Sequence, residues 1–324
     1  MTDEQTALEA VDSYIERYLN DIGSELNLSG GRDVLAYIRN YTKRKGKRLR
    51  PRLLLRMAGS RKLTEPVLRI ASATEILHLF ALMHDDRIDR TERVQPTGVG
   101  QADGDIDVLR LLGGDFLHVC GMQLLGQTVA THGLSSHIVP LVRKISLITI
   151  AGQAEDVSYI PRSAYHSSLE SLYHLYDAKT GYYTFVAPLQ IGYLLSTSYS
   201  DHDDRVVSET IERLRVLGLS LGRHFQMRDD EHDILQARND DLQNLRDVPH
   251  WEYNLLATWL HETGNAVDPP LFLDPERRQN CLSTVHIEEF RSWCRTHRAC
   301  LEQELRGYAG DSSLLKTIVD LTCP

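Results

Sequence analysis

Cysteine and proline are both scarce in this chain of 324 residues. The five cysteines, Cys120, Cys281, Cys294, Cys300 and Cys323, are too few and too irregularly spaced for a disulfide framework. Cys294, His297 and Cys300 fall on one helical face but bring no fourth ligand, so no zinc site is expected there. Only 11 prolines and no convincing alternation of apolar and polar residues argue against a β-rich architecture. Positive charge is not in excess. The 36 Lys and Arg against 45 Asp and Glu leave a net charge of -9, which speaks against a nucleic-acid-binding surface. An anionic substrate would then have to be met by local basic clusters or by metal ions. Met1 leads into a polar, acidic stretch without a basic and apolar leader, and no run reads as a transmembrane segment, so the default expectation is cytoplasmic. Internal repeats and low-complexity tracts are absent.

What the chain has is a balance of 42% hydrophobic and 25% charged residues, enough to bury a substantial core. Long segments rich in Leu, Ala, Arg and Glu carry apolar residues every three to four positions, the helical period. A first helix is predicted from Glu4 to Ile22, with Leu8, Val11, Tyr14, Ile15 and Tyr18 on one stripe, followed by a break from Gly23 to Gly31. A basic stretch, Lys43 to Arg52, opens the next helix. Glu65 to Asp89 is apolar on nearly every side, as a central buried helix should be. Residues 91–108 read as a loop. Val108 to Leu125, Ile138 to Val157 and Val206 to Asp233 read as further core helices, Gln236 to Trp251 as a polar connection, and the tail after Pro270 as two short amphipathic helices. The expected fold class is all-α: one large helical bundle over residues 1–324 with a central cavity.

Two acidic groups stand out. Asp85, Asp86 and Asp89 close one apolar segment, and Asp229, Asp230 and Asp233 repeat the same D-D-x-x-D spacing at the end of another. Spacings of one and four place each triplet on one helical face. Carboxylates in a helix's last turn meet the negative end of its dipole and repel one another, so the clusters call for cations. An all-oxygen donor set suits magnesium, which keeps waters and shares its shell with substrate phosphates. The segment Gly46-Lys47-Arg48-Leu49-Arg50-Pro51 concentrates cations at a helix entrance, where they match phosphate oxygens. His78 lies about two turns before Asp85 and points toward the same end.

GKRLRP at 46–51, EILHLFALMHDDRID at 75–89, LLGGDFL at 111–117, GQAED at 152–156, YDAKTG at 176–181 and FQMRDDEHD at 225–233 occur in the order found in one family. In these pieces the sequence resembles the trans-isoprenyl diphosphate synthases, the farnesyl and geranylgeranyl diphosphate synthase family. The resemblance implies a prenyltransferase acting on isoprenoid diphosphates, a homodimer, and Mg2+ as cofactor, three ions with the allylic diphosphate bound. By position, Lys47, Arg50, His78 and Arg93 would hold isopentenyl diphosphate. Asp85, Asp86, Asp89, Asp229, Asp230 and Asp233 would bind the metal. Lys179, Thr180, Phe225 and Gln226 would line the allylic site, with Asp85, Asp86, Lys179 and Asp229 carrying the catalysis. Phe80 and Ala81, just before the first triplet, would gauge chain length. They suggest a product of about fifteen to twenty carbons with geranylgeranyl diphosphate preferred, unless Phe80 serves only core packing. The chain departs from the family at Glu92, which replaces the first of two arginines, and at Val248-Pro249, which replaces a glycine-lysine pair. Arg87, Arg90, Arg228 and Arg246 are the candidate replacements. A cyclase acting on a finished prenyl diphosphate and a noncatalytic partner subunit are the alternatives.

Overall fold

The computed structural model describes residues 4–25, 29–43, 46–59, 63–88, 103–159, 168–196, 203–239, 254–264, 287–310 and 312–322. Among them every regular element is helical: α1 (Glu4–Glu25), α2 (Ser29–Thr42), α3 (Leu49–Ala58), α4 (Glu65–Ile88), α5 (Asp103–Thr131), α6 (Ile138–Tyr159) and α7 (Leu169–Tyr176). A π-helical segment, Asp177–Val186, follows without a break. The rest are α8 (Ala187–Leu195), α9 (Asp204–Asn239), α10 (Asn254–Glu262), α11 (Ile287–Ala309) and α12 (Ser313–Thr322). The all-α expectation holds.

The contact pattern divides the chain into two compact units. The first comprises Met1–Pro140 with Ile191–Asp201, the second Leu141–Gln190 with His202–Pro324.

The first unit is built around α4. Its residues from Ile70 to Ile76 are buried without interruption, as the all-round apolar pattern requires. α1, α3 and α5 pack on it. Glycines let α5 come close: a Cβ at Gly114 would lie 2.3 Å from the His84 ring, and one at Gly121 would lie 2.8 Å from Leu77. Contrary to the expectation that no run is long enough, α4 and the Ile106–Thr131 part of α5 are each long and apolar enough to cross a membrane by length and composition. Yet 56% and 50% of their apolar windows lie buried inside the protein, the situation of core helices.

In the second unit α9 lies along the π segment and α11 along α9. Leu172, Tyr176, Met227, Ile234, Trp259, Phe290 and Cys294 form its core. Arg213 donates two hydrogen bonds to the Tyr308 carbonyl at 3.0 and 2.7 Å, satisfying the C-terminal end of α11.

Several boundaries differ from expectation. α1 runs to Glu25 and α2 begins at Ser29, inside the segment read as a break. α5 starts at Asp103, because Gly104 sits in the first turn, where the N–H groups have no intrahelical partner to lose. α9 continues to Asn239, so residues 236–239 are helix, while 240–253 lie outside the described residues. The first tail helix is not short, spanning 23 residues. Nor are α5 and α6 core on every side: Val108, Leu111, Leu112 and Val119 on α5, and Leu147 and Ile150 on α6, are exposed.

Candidate active site

The first unit holds the basic entrance. Arg48, at the start of α3, adopts a left-handed backbone (φ 48°), unusual for a side chain with a Cβ. Its guanidinium donates to Asp12 at 2.8 Å and to the buried Glu75 of α4 at 3.0 Å. That anchor fixes the turn between exposed Lys47 and half-buried Arg50. His78 follows Glu75 by one turn. Burial, and then the charges of Arg50 and Arg48, hold its imidazole well below the usual histidine range, so it is neutral near pH 7. Two cations and a neutral hydrogen-bonding ring thus share one end of the unit, chemistry suited to diphosphate oxygens.

Further along α4, Asp85 is half-buried and Asp86 fully buried. The Tyr41 hydroxyl, from α2, donates to Asp86 Oδ2 at 2.7 Å, and buried Arg110 reaches the Asp86 carbonyl at 3.5 Å. Asp89 and Arg93 lie outside the described residues, as do Arg90, Glu92, Arg246 and Val248-Pro249. Arg87 approaches Asp107 at 3.4 Å. Phe80 is half-buried, its ring 5.0 Å from that of His84 and 4.8 Å from that of His118 on α5; Ala81 is half-buried beside it.

The second unit gathers the other residues around Asp230. Gln226, one turn earlier on α9, donates to Asp230 Oδ1 at 2.7 Å and accepts from Thr180 at 2.8 Å. Tyr176 donates to Asp230 Oδ2 at 2.5 Å. Lys179 pairs with buried Asp156 of α6 at 2.7 Å. Asp177 takes a two-pronged bond from Arg223 at 2.7 and 2.6 Å, pinning the start of the π segment to α9. Phe225 meets Phe185 edge-on at 5.7 Å. Asp229 is exposed, and Asp233 is on α9 with its side chain outside the described set.

Glycines make this arrangement possible. A Cβ at Gly152 would lie 2.6 Å from the Ala178 side chain and 2.8 Å from the Lys179 backbone nitrogen, and one at Gly222 would lie 2.5 Å from Gly181 Cα. α6 and α9 therefore approach the π segment backbone to backbone, close enough for Asp156 and Gln226 to reach Lys179 and Thr180. π-helical turns are rare and often mark functional sites.

Burial pushes the Asp230 carboxyl up to about 7, against the Tyr176 and Gln226 hydrogen bonds and the charge of Lys179; Asp156 adds repulsion. Because the folded value lies above the unfolded one, the stability this group contributes is complete below about pH 4 and is lost as pH rises through about 7. Asp230→Asn, which cannot ionise, should therefore gain stability relative to the parent between pH 5 and pH 8 when metal is absent. The gain is a few kcal/mol at most, since a tenfold change in proton affinity is worth ~1.4 kcal/mol. Urea unfolding of both proteins at the two pH values checks this; a constant difference would show that the carboxyl does not titrate there.

Among the described residues no three His, Cys, Asp or Glu side chains converge into a ready-made cage. Asp85 and Asp86 lie in the last turn of α4 as expected, but Asp229, Asp230 and Asp233 lie inside α9, which continues to Asn239 rather than ending at the triplet. Hard carboxylate oxygens grouped in this way fit an ion that completes its shell with water and phosphate oxygens. Asp156, Tyr41, Tyr176, Arg48 and Glu75 were not singled out by sequence reasoning. All but Tyr41 stood inside quoted motifs, and for the aspartate, the glutamate and the tyrosines the available signal was a carboxylate or phenol in an otherwise apolar helical segment.

The profile of the polyprenyl synthetase family matches residues 32–258. The chain is similar to the geranylfarnesyl diphosphate synthase of Natronomonas pharaonis, 28% identical over 240 residues that cover 69% of this chain and 67% of that protein. It is also similar to the geranylgeranyl diphosphate synthase of Sulfolobus acidocaldarius, 29% identical over 233 residues covering 67% of this chain and 66% of that one. The matched segment thus spans about two-thirds of the length of each relative. Among solved structures, the geranylgeranyl pyrophosphate synthase of Corynebacterium glutamicum complexed with isoprenyl diphosphate and magnesium aligns with a TM-score of 0.69 at 19% identity. It covers 99% of this chain and 98% of its own, which shows a shared all-α fold. With the family profile extending over most of the chain, this protein belongs to the polyprenyl synthetase family, a family of prenyltransferases.

Proposed function

We propose that this protein is a trans-prenyl diphosphate synthase that joins isopentenyl diphosphate to an allylic diphosphate. One observation carries the reading: α4 bears the acidic end Asp85-Asp86 and, two turns earlier, neutral His78 beside Arg48 and Arg50. A single buried helix so presents a group that collects cations and a group that collects phosphate.

Lys47, Arg50, His78 and Arg93 hold the isopentenyl diphosphate and orient its double bond. Asp85, Asp86, Asp89, Asp229, Asp230 and Asp233 would hold Mg2+, three ions with the allylic diphosphate bound, which would supply positive charge against the departing diphosphate. Lys179 adds a cation at the same oxygens, exchanging its contact with Asp156 for one with phosphate. Thr180, Gln226 and Phe225 line the allylic site. An allylic cation results, the isopentenyl double bond attacks it, and released diphosphate takes the final proton. Phe80 and Ala81 limit the growing chain to a product of about fifteen to twenty carbons, with geranylgeranyl diphosphate preferred. Support for that product class comes from the name of the Sulfolobus relative, whereas the name of the Natronomonas relative denotes a product one isoprene unit longer than geranylgeranyl diphosphate. Support for magnesium comes from the carboxylate donor set and the magnesium in the Corynebacterium protein.

The same reading takes residues 1–324 as one functional domain and the protein as cytoplasmic and a homodimer. Exposed apolar side chains on α5, and separately on α6, support the dimer, since such surface is usually covered by a partner. The test is incubation of purified protein with Mg2+, isopentenyl diphosphate and dimethylallyl, geranyl or farnesyl diphosphate in turn. Mass spectrometry of products follows, before and after phosphatase. Longer prenyl alcohols appearing only after phosphatase are expected. Hydrocarbons or cyclic alcohols formed without isopentenyl diphosphate would replace the synthase by a cyclase, and no turnover of any pair would leave a noncatalytic subunit.

A further inference from the structure

The middle carboxylate of the two acidic triplets is treated alike in the two units. Asp86 is 0% exposed and Asp230 8%, whereas their preceding neighbours Asp85 and Asp229 are half-buried and exposed. Each middle carboxylate accepts a hydrogen bond from a phenol on another helix: Tyr41 of α2, 2.7 Å from Asp86, and Tyr176 of α7, 2.5 Å from Asp230. Both donors are themselves buried, Tyr41 at 0% and Tyr176 at 2% exposure. They lie 45 and 54 residues from the aspartates they hold, so neither contact follows from local helix geometry.

We propose that Tyr41 and Tyr176 are positioning residues for metal capture, each locking its middle aspartate so that its helical turn, the last of α4 and an interior one of α9, presents the neighbouring aspartate in one fixed orientation. The reasoning is geometric. A carboxylate oxygen accepting a phenol O–H cannot rotate without leaving a buried donor unsatisfied, which is expensive. The adjacent aspartate shares that backbone turn, so its approach to a cation is fixed as well. Groups that orient metal ligands in this way ordinarily contribute one to two orders of magnitude to metal affinity. For Asp230 the restraint is doubled, because Gln226 holds its other oxygen at 2.7 Å. At both triplets the donor is a tyrosine, whose ring fills core volume while its hydroxyl acts; Tyr→Phe therefore separates positioning from packing.

This inference rests on the magnesium–diphosphate reading above, and the experiment distinguishes the two. Tyr41→Phe, Tyr176→Phe and the double variant would be compared with the parent in two measurements. The first is thermal stabilisation by inorganic pyrophosphate over a Mg2+ titration. The second is turnover over the same titration, with KM for isopentenyl diphosphate taken at saturating Mg2+. The expected result is a Mg2+ midpoint raised roughly tenfold in each single variant and further in the double, in both measurements. KM for isopentenyl diphosphate should stay within about twofold of the parent, and metal-free melting should change little beside the midpoint shift. Midpoints equal to the parent's, with only the metal-free melting lowered, would overturn the inference by reducing the hydroxyls to satisfied core groups. A parent protein that responds to neither Mg2+ with pyrophosphate nor substrate would overturn both the inference and the synthase reading.

Discussion

Asp85→Ala and Asp229→Ala are each expected to lower turnover of isopentenyl and allylic diphosphates by roughly a thousandfold, equivalent to ~4 kcal/mol of transition-state stabilisation. The effect should fall on kcat, because charge develops on the leaving oxygens only as the bond breaks. Folding should not suffer. Asp85 is half-buried in the last turn of α4, where its charge opposes the negative pole of the dipole, and Asp229 is exposed on α9 beside another carboxylate, so neither side chain supports the core. Metal-free melting should therefore stay level or rise, while stabilisation by Mg2+ with pyrophosphate is lost. Steady-state kinetics and thermal melts on the same preparations check both halves. Turnover preserved within about tenfold in either variant would remove that aspartate from the reacting centre.

The second large effect concerns packing. Gly222→Ala and Gly152→Ala are expected to cost about 3 kcal/mol each, the upper end of overpacking losses, and to lower turnover as well. The reason is what the new methyl group would meet. At Gly222 it lies 2.5 Å from Gly181 Cα, and at Gly152 2.8 Å from the Ala178 carbonyl carbon, both backbone atoms that no rotamer change can move aside. Relief requires α6 or α9 to shift against the π segment, which stretches the Lys179–Asp156 and Thr180–Gln226 contacts. Gly126→Ala on α5 is the matched control, since nothing lies within 4 Å of the position its methyl would take. There the gain in helix propensity should stabilise by up to ~1 kcal/mol. Urea unfolding midpoints separate the three variants, and equal midpoints at Gly126 and Gly222 would dismiss the close approach as a determinant of stability.

Period and composition by themselves determined the helical class, because an apolar stripe repeating at the helical period can be buried only if the segment is a helix. α4 was legible almost to the residue for that reason, its interior being apolar all round. The acidic triplets and the basic turn were legible too, since their spacing within one helix is a local property. Less legible were the limits of α2, α5 and α9 and the length of α11, where glycines and polar residues resembled breaks but the helices continue. The π segment also escaped, because one-residue changes in helical register depend on what packs alongside.

What only the tertiary structure decided is which groups hold the chemistry in place. Asp156 reaches Lys179 across 23 positions, Tyr41 reaches Asp86 across 45, and Tyr176 reaches Asp230 across 54. No periodicity links such pairs; each exists because separate helices are brought together by the fold, the Asp156–Lys179 pair at the close approach that Gly152 allows. The ionisation of the site follows the same rule. Asp229 and Asp230 are neighbours in sequence, yet burial raises Asp230 to about 7 while Asp229 lies exposed on the surface of α9. Adjacent residues on a helix point about 100° apart, so one meets water and the other a phenol, and that difference in surroundings is set by the fold rather than by the local sequence.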